Sequence, residues 1–113
     1  NIERQTLRLD GFSSLNAPYE GGEMVTRPFR FSGRKLTINY STSAAGSVQV
    51  EIQDGEGGVV PGFAVSDCPE IIGDEIERVV SWQGGSDLSR IAGQTVRLRF
   101  VMKDADLYSL SFQ

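Results

Sequence analysis

Thr95-Val96-Arg97-Leu98-Arg99-Phe100-Val101-Met102-Lys103-Asp104-Ala105-Asp106-Leu107-Tyr108-Ser109-Leu110-Ser111-Phe112 decides the fold class. Val96, Leu98, Phe100 and Met102 fall on one side of an extended chain, and Arg97, Arg99 and Lys103 on the other. Such alternation marks a half-buried strand of an antiparallel sheet. The run reads as two strands joined by a tight acidic turn at Asp104-Ala105-Asp106. Upstream, Ser86 reads as the N-cap of a single helical turn, Asp87 to Ile91, that closes at Gly93.

The same alternation recurs toward the N-terminus. Leu36, Ile38 and Tyr40 alternate with Thr37, Asn39 and Ser41. Val48, Val50 and Ile52 then alternate with Gln49, Glu51 and Gln53, and the small residues Ala44-Ala45-Gly46 between the two runs predict a hairpin turn. Further strands are expected around Gln5 to Leu9, Glu23 to Thr26 and Ile76 to Trp82. Pro28 interrupts a run near Phe29 to Phe31, the stretch Asp10 to Gly22 reads as a loop or edge excursion, and Ser66 to Glu75 reads as a long connection. About eight short strands, spaced by 13 Gly and four Pro over 113 residues, predict an all-β fold: a two-sheet antiparallel β-sandwich of jelly-roll type. One domain spanning residues 1–113 is expected, since six Phe, three Tyr and one Trp can fill one compact core. Asn1 begins neither with Met nor with a signal peptide, so the chain is expected to be excised from a longer one.

Charge and composition narrow the function. A net charge of −4 opposes a nucleic-acid surface, which needs clustered cations to displace phosphate counterions. The local cluster Arg27, Arg30, Arg34 and Lys35 reads as a solvated rim. No apolar run approaches the roughly 20 residues of a membrane span. Cys68 is the sole cysteine, so no internal disulfide can form, and with no His in the chain it lacks the base of a Cys-His nucleophile.

The absence of His also removes the commonest general base and metal ligand. Two carboxylates about 5 to 10 Å apart would suffice for a glycosidase, and Asp67, Glu70, Asp74, Glu75 and Glu77 crowd one connection. Acids beside Gly and Pro in loops are nevertheless mostly solvated turn formers, so no catalytic residue is assigned. No cofactor is expected. Asp104 and Asp106 are candidate ligands for a structural Ca²⁺, weighed against a turn whose Asp side chains bond their own backbone. For carbohydrate, Trp82 and Tyr19 are the candidate stacking platforms, with Gln83 and Asp87 as hydrogen-bond partners near the Trp.

Several stretches carry a resemblance. Leu9-Asp10-Gly11-Phe12-Ser13-Ser14-Leu15, Thr42-Ser43-Ala44-Ala45-Gly46-Ser47-Val48, Asp67-Cys68-Pro69-Glu70-Ile71, Gly73-Asp74-Glu75, and Leu98-Arg99-Phe100 with Lys103-Asp104-Ala105-Asp106-Leu107-Tyr108 cover nearly the whole chain. Together they resemble a C-terminal module of large proteins of planctomycete-type bacteria. Those proteins are similar to family-32-like glycoside hydrolases, a β-propeller followed by a β-sandwich. The resemblance implies that the catalytic acids lie in the propeller and that none lies in these 113 residues. It further implies an exported protein, extracellular or periplasmic.

The expected function is therefore a non-catalytic accessory domain of a carbohydrate-active protein. It would act by weak carbohydrate binding or by stabilising a neighbouring catalytic domain of the same polypeptide. The alternative is a purely structural or protein-interaction module, whose apolar surface would be masked by self-association when the neighbour is cut away.

Overall fold

The computed structural model describes residues 5–7, 15–17 and 22–113 of the chain. Seven strands are assigned among them: β1 (Gln5–Leu7), β2 (Leu15–Ala17), β3 (Gly22–Val25), β4 (Phe29–Arg30), β5 (Leu36–Asp54), β6 (Asp74–Val79) and β7 (Thr95–Phe112). All pairings are antiparallel and form one hydrogen-bonded sheet. The all-β, antiparallel expectation therefore stands.

β5 and β7 form the axis of the molecule. They pair in two stretches, Leu36–Thr42 against Phe112–Ala105 and Ser47–Asp54 against Lys103–Val96. β1 to β4 lie in succession along the other side of β7. β6 lies along the first stretch of β5. Beside the second stretch, the connection between β5 and β6 supplies partners instead: Val48 exchanges both backbone bonds with Ile71, and the Ile52 amide donates to the Phe63 carbonyl.

Two expected turns are corrected here. Ala44-Ala45-Gly46 and Asp104-Ala105-Asp106 turn no corner; each lies inside one long strand, and they face each other. Between the pairs Thr42↔Ala105 and Ser47↔Lys103, four residues of β5 oppose the single residue Asp104. This is an enlarged β-bulge, which bends and twists a ribbon without ending it. Asp104 takes φ 42°, the one positive φ of a non-glycine among the described residues. Gly46 lies directly against the Lys103 and Asp104 carbonyls, leaving no space for a Cβ.

The bulge also explains the hydrophobic pattern. Even-numbered positions of β7 are buried up to Met102, Ala105 and Leu107 are buried beyond it, and Leu110 and Phe112 restore the even phase. The first change of phase falls at Asp104. The second falls where Tyr108 is skipped between the pairs Asn39↔Ser109 and Tyr40↔Leu107. Inserting one unpaired residue exchanges the two faces of a strand, so each change marks a bulge.

Three smaller expectations are adjusted. The stretch from Asp10 to Gly22, read as a loop or edge excursion, holds β2, paired with Leu107–Ala105. The strand expected over Ile76 to Trp82 runs over Asp74–Val79 instead. The helical turn after Ser86 is a plain turn in which the Leu88 carbonyl accepts from the Ile91 and Ala92 amides, and its cap is Asp87, whose Oδ1 accepts from the Ser89 amide at 3.0 Å.

The core is one contiguous cluster. Leu36, Ile38, Tyr40, Val48, Val50 and Ile52 of β5 meet Val96, Leu98, Phe100, Leu107 and Phe112 of β7, and Phe31 stacks on Phe112 at 4.4 Å. Each such side chain removed from water contributes roughly 1.5–3 kcal/mol. Tyr40 keeps its hydroxyl at the cluster rim, 3.0 Å from the Ile72 carbonyl and 3.1 Å from Glu75 Oε2. Burial first, and the Glu75 hydrogen bond second, push its phenol above the ordinary value.

Glu51 is the buried acid of β5, only 5% exposed. It accepts from Gln53 Nε2 at 2.8 Å and from the Val65 amide at 3.3 Å, and lies 3.5 Å from Arg99 Nη1. Arg99 also binds Glu23 of β3 at 2.6 Å. Burial pushes the Glu51 carboxyl upward, but these hydrogen bonds and the Arg99 charge outweigh it and hold the group below its ordinary value. The folded state thus favours the carboxylate, whose contribution is complete above the ordinary carboxyl range and is lost as pH falls through the lowered value. We expect urea unfolding to show Glu51→Gln weaker by about 1–3 kcal/mol at pH 7. At pH 3 the gap between variant and parent should narrow, and a gap that is the same at both pH values would contradict this account.

Candidate functional site

A cleft of about 370 Å³ opens between Pro61–Phe63 and the segment from Trp82 to Arg90. Its two walls come from connections on either side of β6. The first wall is held to β5, since the Phe63 carbonyl accepts from Ile52 and the Val60 amide donates to the Ile52 carbonyl. In the second, Trp82 and Gly85 exchange both backbone bonds at 2.9 and 2.8 Å, closing a two-residue turn over Gln83-Gly84. Gly85 has φ +117°, which an L side chain rarely adopts.

The floor is aromatic. Phe63 and Trp82 meet edge to face, with centroids 5.2 Å apart and planes at 76°. The Trp82 indole donates to the Val50 carbonyl at 2.8 Å, which anchors the ring to β5. The Arg90 guanidinium lies 5.2 Å from the Phe63 ring centre, and its Nη2 donates to the Pro61 carbonyl at 2.9 Å. An aromatic face and a carbonyl thus fix the plane of an exposed cation at the cleft.

Asp87 lines the same cleft as an exposed carboxylate. The Ser89 backbone amide, then the Ser89 hydroxyl, hold it below the usual carboxylate range, and the charges of Arg34 and Lys35 act in the same direction. Those two cations reach this region because the Leu88 amide donates to the Arg34 carbonyl at 2.7 Å. Gly84 and Gly85 leave open space where side chains would stand.

The expected site residues fare differently. Trp82 is 3% exposed, so the expectation of an open stacking platform is corrected: the indole N–H needs a buried acceptor, and satisfying it on Val50 draws the ring into the core. Asp87 lines the cleft; Gln83 is exposed in the adjoining turn, and its amide donates to the Asp67 carbonyl. Tyr19 lies outside the described residues. Asp104 and Asp106 lie in the bulged part of β7, and among the described residues no three acids or thiols cluster as metal ligands.

The acids weighed for catalysis are engaged in local structure where their contacts are seen. Asp67 Oδ2 accepts from the Ala64 amide at 3.2 Å, and Glu75 pairs with Arg78 at 2.7 Å while accepting from Tyr40. The Arg78 and Tyr40 hydrogen bonds hold the Glu75 carboxyl below its ordinary value. A carboxyl held that way stays ionised at neutral pH, the opposite of what a general acid needs.

Arg90 and the Pro61–Phe63 wall were not among the residues singled out by sequence. No local pattern joins them to Trp82, because the cleft unites positions about twenty residues apart through their common attachment to β5. Fold and cleft together define an antiparallel all-β protein with a small, charged, aromatic-floored surface site. No family model, curated protein or solved structure matches the chain.

Proposed function

We propose that this chain is a non-catalytic accessory domain, a jelly-roll β-sandwich, of an exported carbohydrate-active protein, and that it stabilises a neighbouring catalytic domain of the same polypeptide. The bulges of β5 and β7 support the sandwich reading, because a ribbon bent at Gly46 and Asp104 can place its two stretches in separate layers around one core. The carrying observation for the role is the apolar surface in and beside β6. Ile76 is 76% exposed, Ile72 50% and Val79 36%; among the described residues the other exposed large apolar side chains are Val25, Val59 and Tyr108. Three such side chains within eight positions of the chain, Ile76 among them almost fully open, favour a covering partner.

The test uses Ile76→Cys. The native thiol is a quiet background, since Cys68 is 2% exposed and burial pushes its pKa up. A maleimide is expected to label position 76 rapidly in the isolated chain and severalfold more slowly in the parent polypeptide. Equal rates in the two would overturn the docking role. A second mode, weak glycan contact, is favoured by the cleft beside Phe63 and Trp82.

A further inference from the structure

We propose that the cleft between Pro61–Phe63 and Trp82–Arg90 binds a sugar acid, a pyranose bearing a carboxylate, with Arg90 taking the carboxylate and Asp87 the ring hydroxyls. This deepens the glycan mode above and rests on it.

The ligand class follows from what the cleft presents. Its volume, about 370 Å³, lies at the small end of the roughly 300–1,000 Å³ typical of ligand pockets. Phe63 and Trp82 close the floor but are only 7% and 3% exposed, so the ligand is held by Arg90, Asp87 and the backbone at Gly84-Gly85 and not by ring stacking. Gly84 and Gly85 add no side chains, so a ligand can approach the backbone there. Asp87, ionised and acceptor-only, suits hydroxyl donors.

The anionic element is set by Arg90. Its plane is fixed by Phe63 and Pro61, so little conformational freedom is lost when its N–H fork meets a planar carboxylate. Arg34 and Lys35 act on the same region. Arg90 is the cation and Asp87 the acid among the lining residues, and the Arg34 and Lys35 charges also bear on Asp87, on a chain whose net charge is −4. A planar monocarboxylate matches the Arg90 fork and adds one negative charge near Asp87, where a dianionic phosphate would add two.

Trp82 is the sole tryptophan and lines the cleft, so its fluorescence reports occupancy directly. The full chain is titrated with digalacturonate, neutral galactobiose and inorganic sulfate. Digalacturonate is expected to saturate the signal and to bind at least ~10-fold more tightly than galactobiose. Arg90→Ala should remove that preference and Arg90→Lys should keep part of it. Gly84→Leu, placed where a side chain meets open space, should block both sugars while leaving the unfolding midpoint in place.

Equal binding of the acidic and neutral sugars would overturn the acid assignment and leave the glycan mode standing. Binding of neither sugar would overturn both. A response to sulfate equal to that of digalacturonate would make this a general anion site, and undiminished binding by Gly84→Leu would place the ligand elsewhere; either result overturns the proposal.

Discussion

Gly46→Ala is expected to cost about 4 kcal/mol or more and to leave much of the chain unfolded at 37 °C. A Cβ at this position would run into the Asp104 carbonyl oxygen and stand 2.5 Å from that of Lys103. Both obstacles are backbone, so no side chain can swing aside; β5 or β7 itself must move. The register on either side resists that movement, because Thr42↔Ala105 and Ser47↔Lys103 fix the bulge from both ends. The Thr42 amide is further tied to the Gly73 carbonyl at 2.7 Å, and the Gly73 amide returns to Thr42 Oγ1 at 2.9 Å. Against a typical total of about 5–15 kcal/mol for a domain, such a loss is decisive. Gly84→Ala, whose Cβ meets nothing within 4 Å, supplies the control and should stay within about 0.5 kcal/mol of the parent. Urea unfolding followed by far-ultraviolet circular dichroism measures both, and a Gly46→Ala midpoint equal to that of the control would refute the steric account.

Trp82→Ala carries the second large effect, about 3–5 kcal/mol. The ring is 3% exposed and packs on Phe63. Its removal opens a cavity and also strips the Val50 carbonyl of a 2.8 Å donor. Trp82→Phe separates the two contributions: it keeps most of the volume and loses the N–H, so it should fall between parent and Ala. A Trp82→Ala protein as stable as the parent would mean that the indole is not a core element. Lost sugar binding in this variant would reflect damaged packing as readily as a lost contact, which makes Gly84→Leu the better probe of the cleft.

The strand faces were legible because period-two alternation is local. Leu36, Ile38, Tyr40, Val48, Val50 and Ile52 are all buried, as are Val96, Leu98, Phe100 and Met102, while Lys103 is exposed. Chain reversal was misread at Ala44-Ala45-Gly46 and Asp104-Ala105-Asp106 because bulges and turns favour the same residues: small ones, Gly, and Asp able to adopt positive φ. What separates the two is the pairing partner, and each of these segments has the other as its partner, some sixty positions away. One local clue was present. The buried set shifts from even to odd positions between Met102 and Ala105 and back again by Leu110, as bulges require.

The candidate site was legible in part for a related reason. Asp87 carries its signal nearby, as a capping acid two residues before the Ser89 amide that it accepts from. Trp82 looked like a surface aromatic at a strand end because its acceptor, the Val50 carbonyl, is 32 positions distant. Arg90 gave no signal, since its meaning comes from Phe63 and Pro61, which reach it only through the tertiary fold.

The β5–β7 ribbon also governs how the chain must assemble. Its nearest partners in sequence are Asp54 and Val96, 96 − 54 = 42 positions apart, and its most distant are Leu36 and Phe112, 112 − 36 = 76 apart. No rung of this ladder can form until the intervening segment has closed on itself, and that loss of chain entropy precedes any compensating contact. Zipping that starts at the Asp54–Val96 end must then pass Gly46 and Asp104 before the rungs from Thr42 to Leu36 can follow. The residue that bends the finished sheet thus stands midway along the route by which it is built.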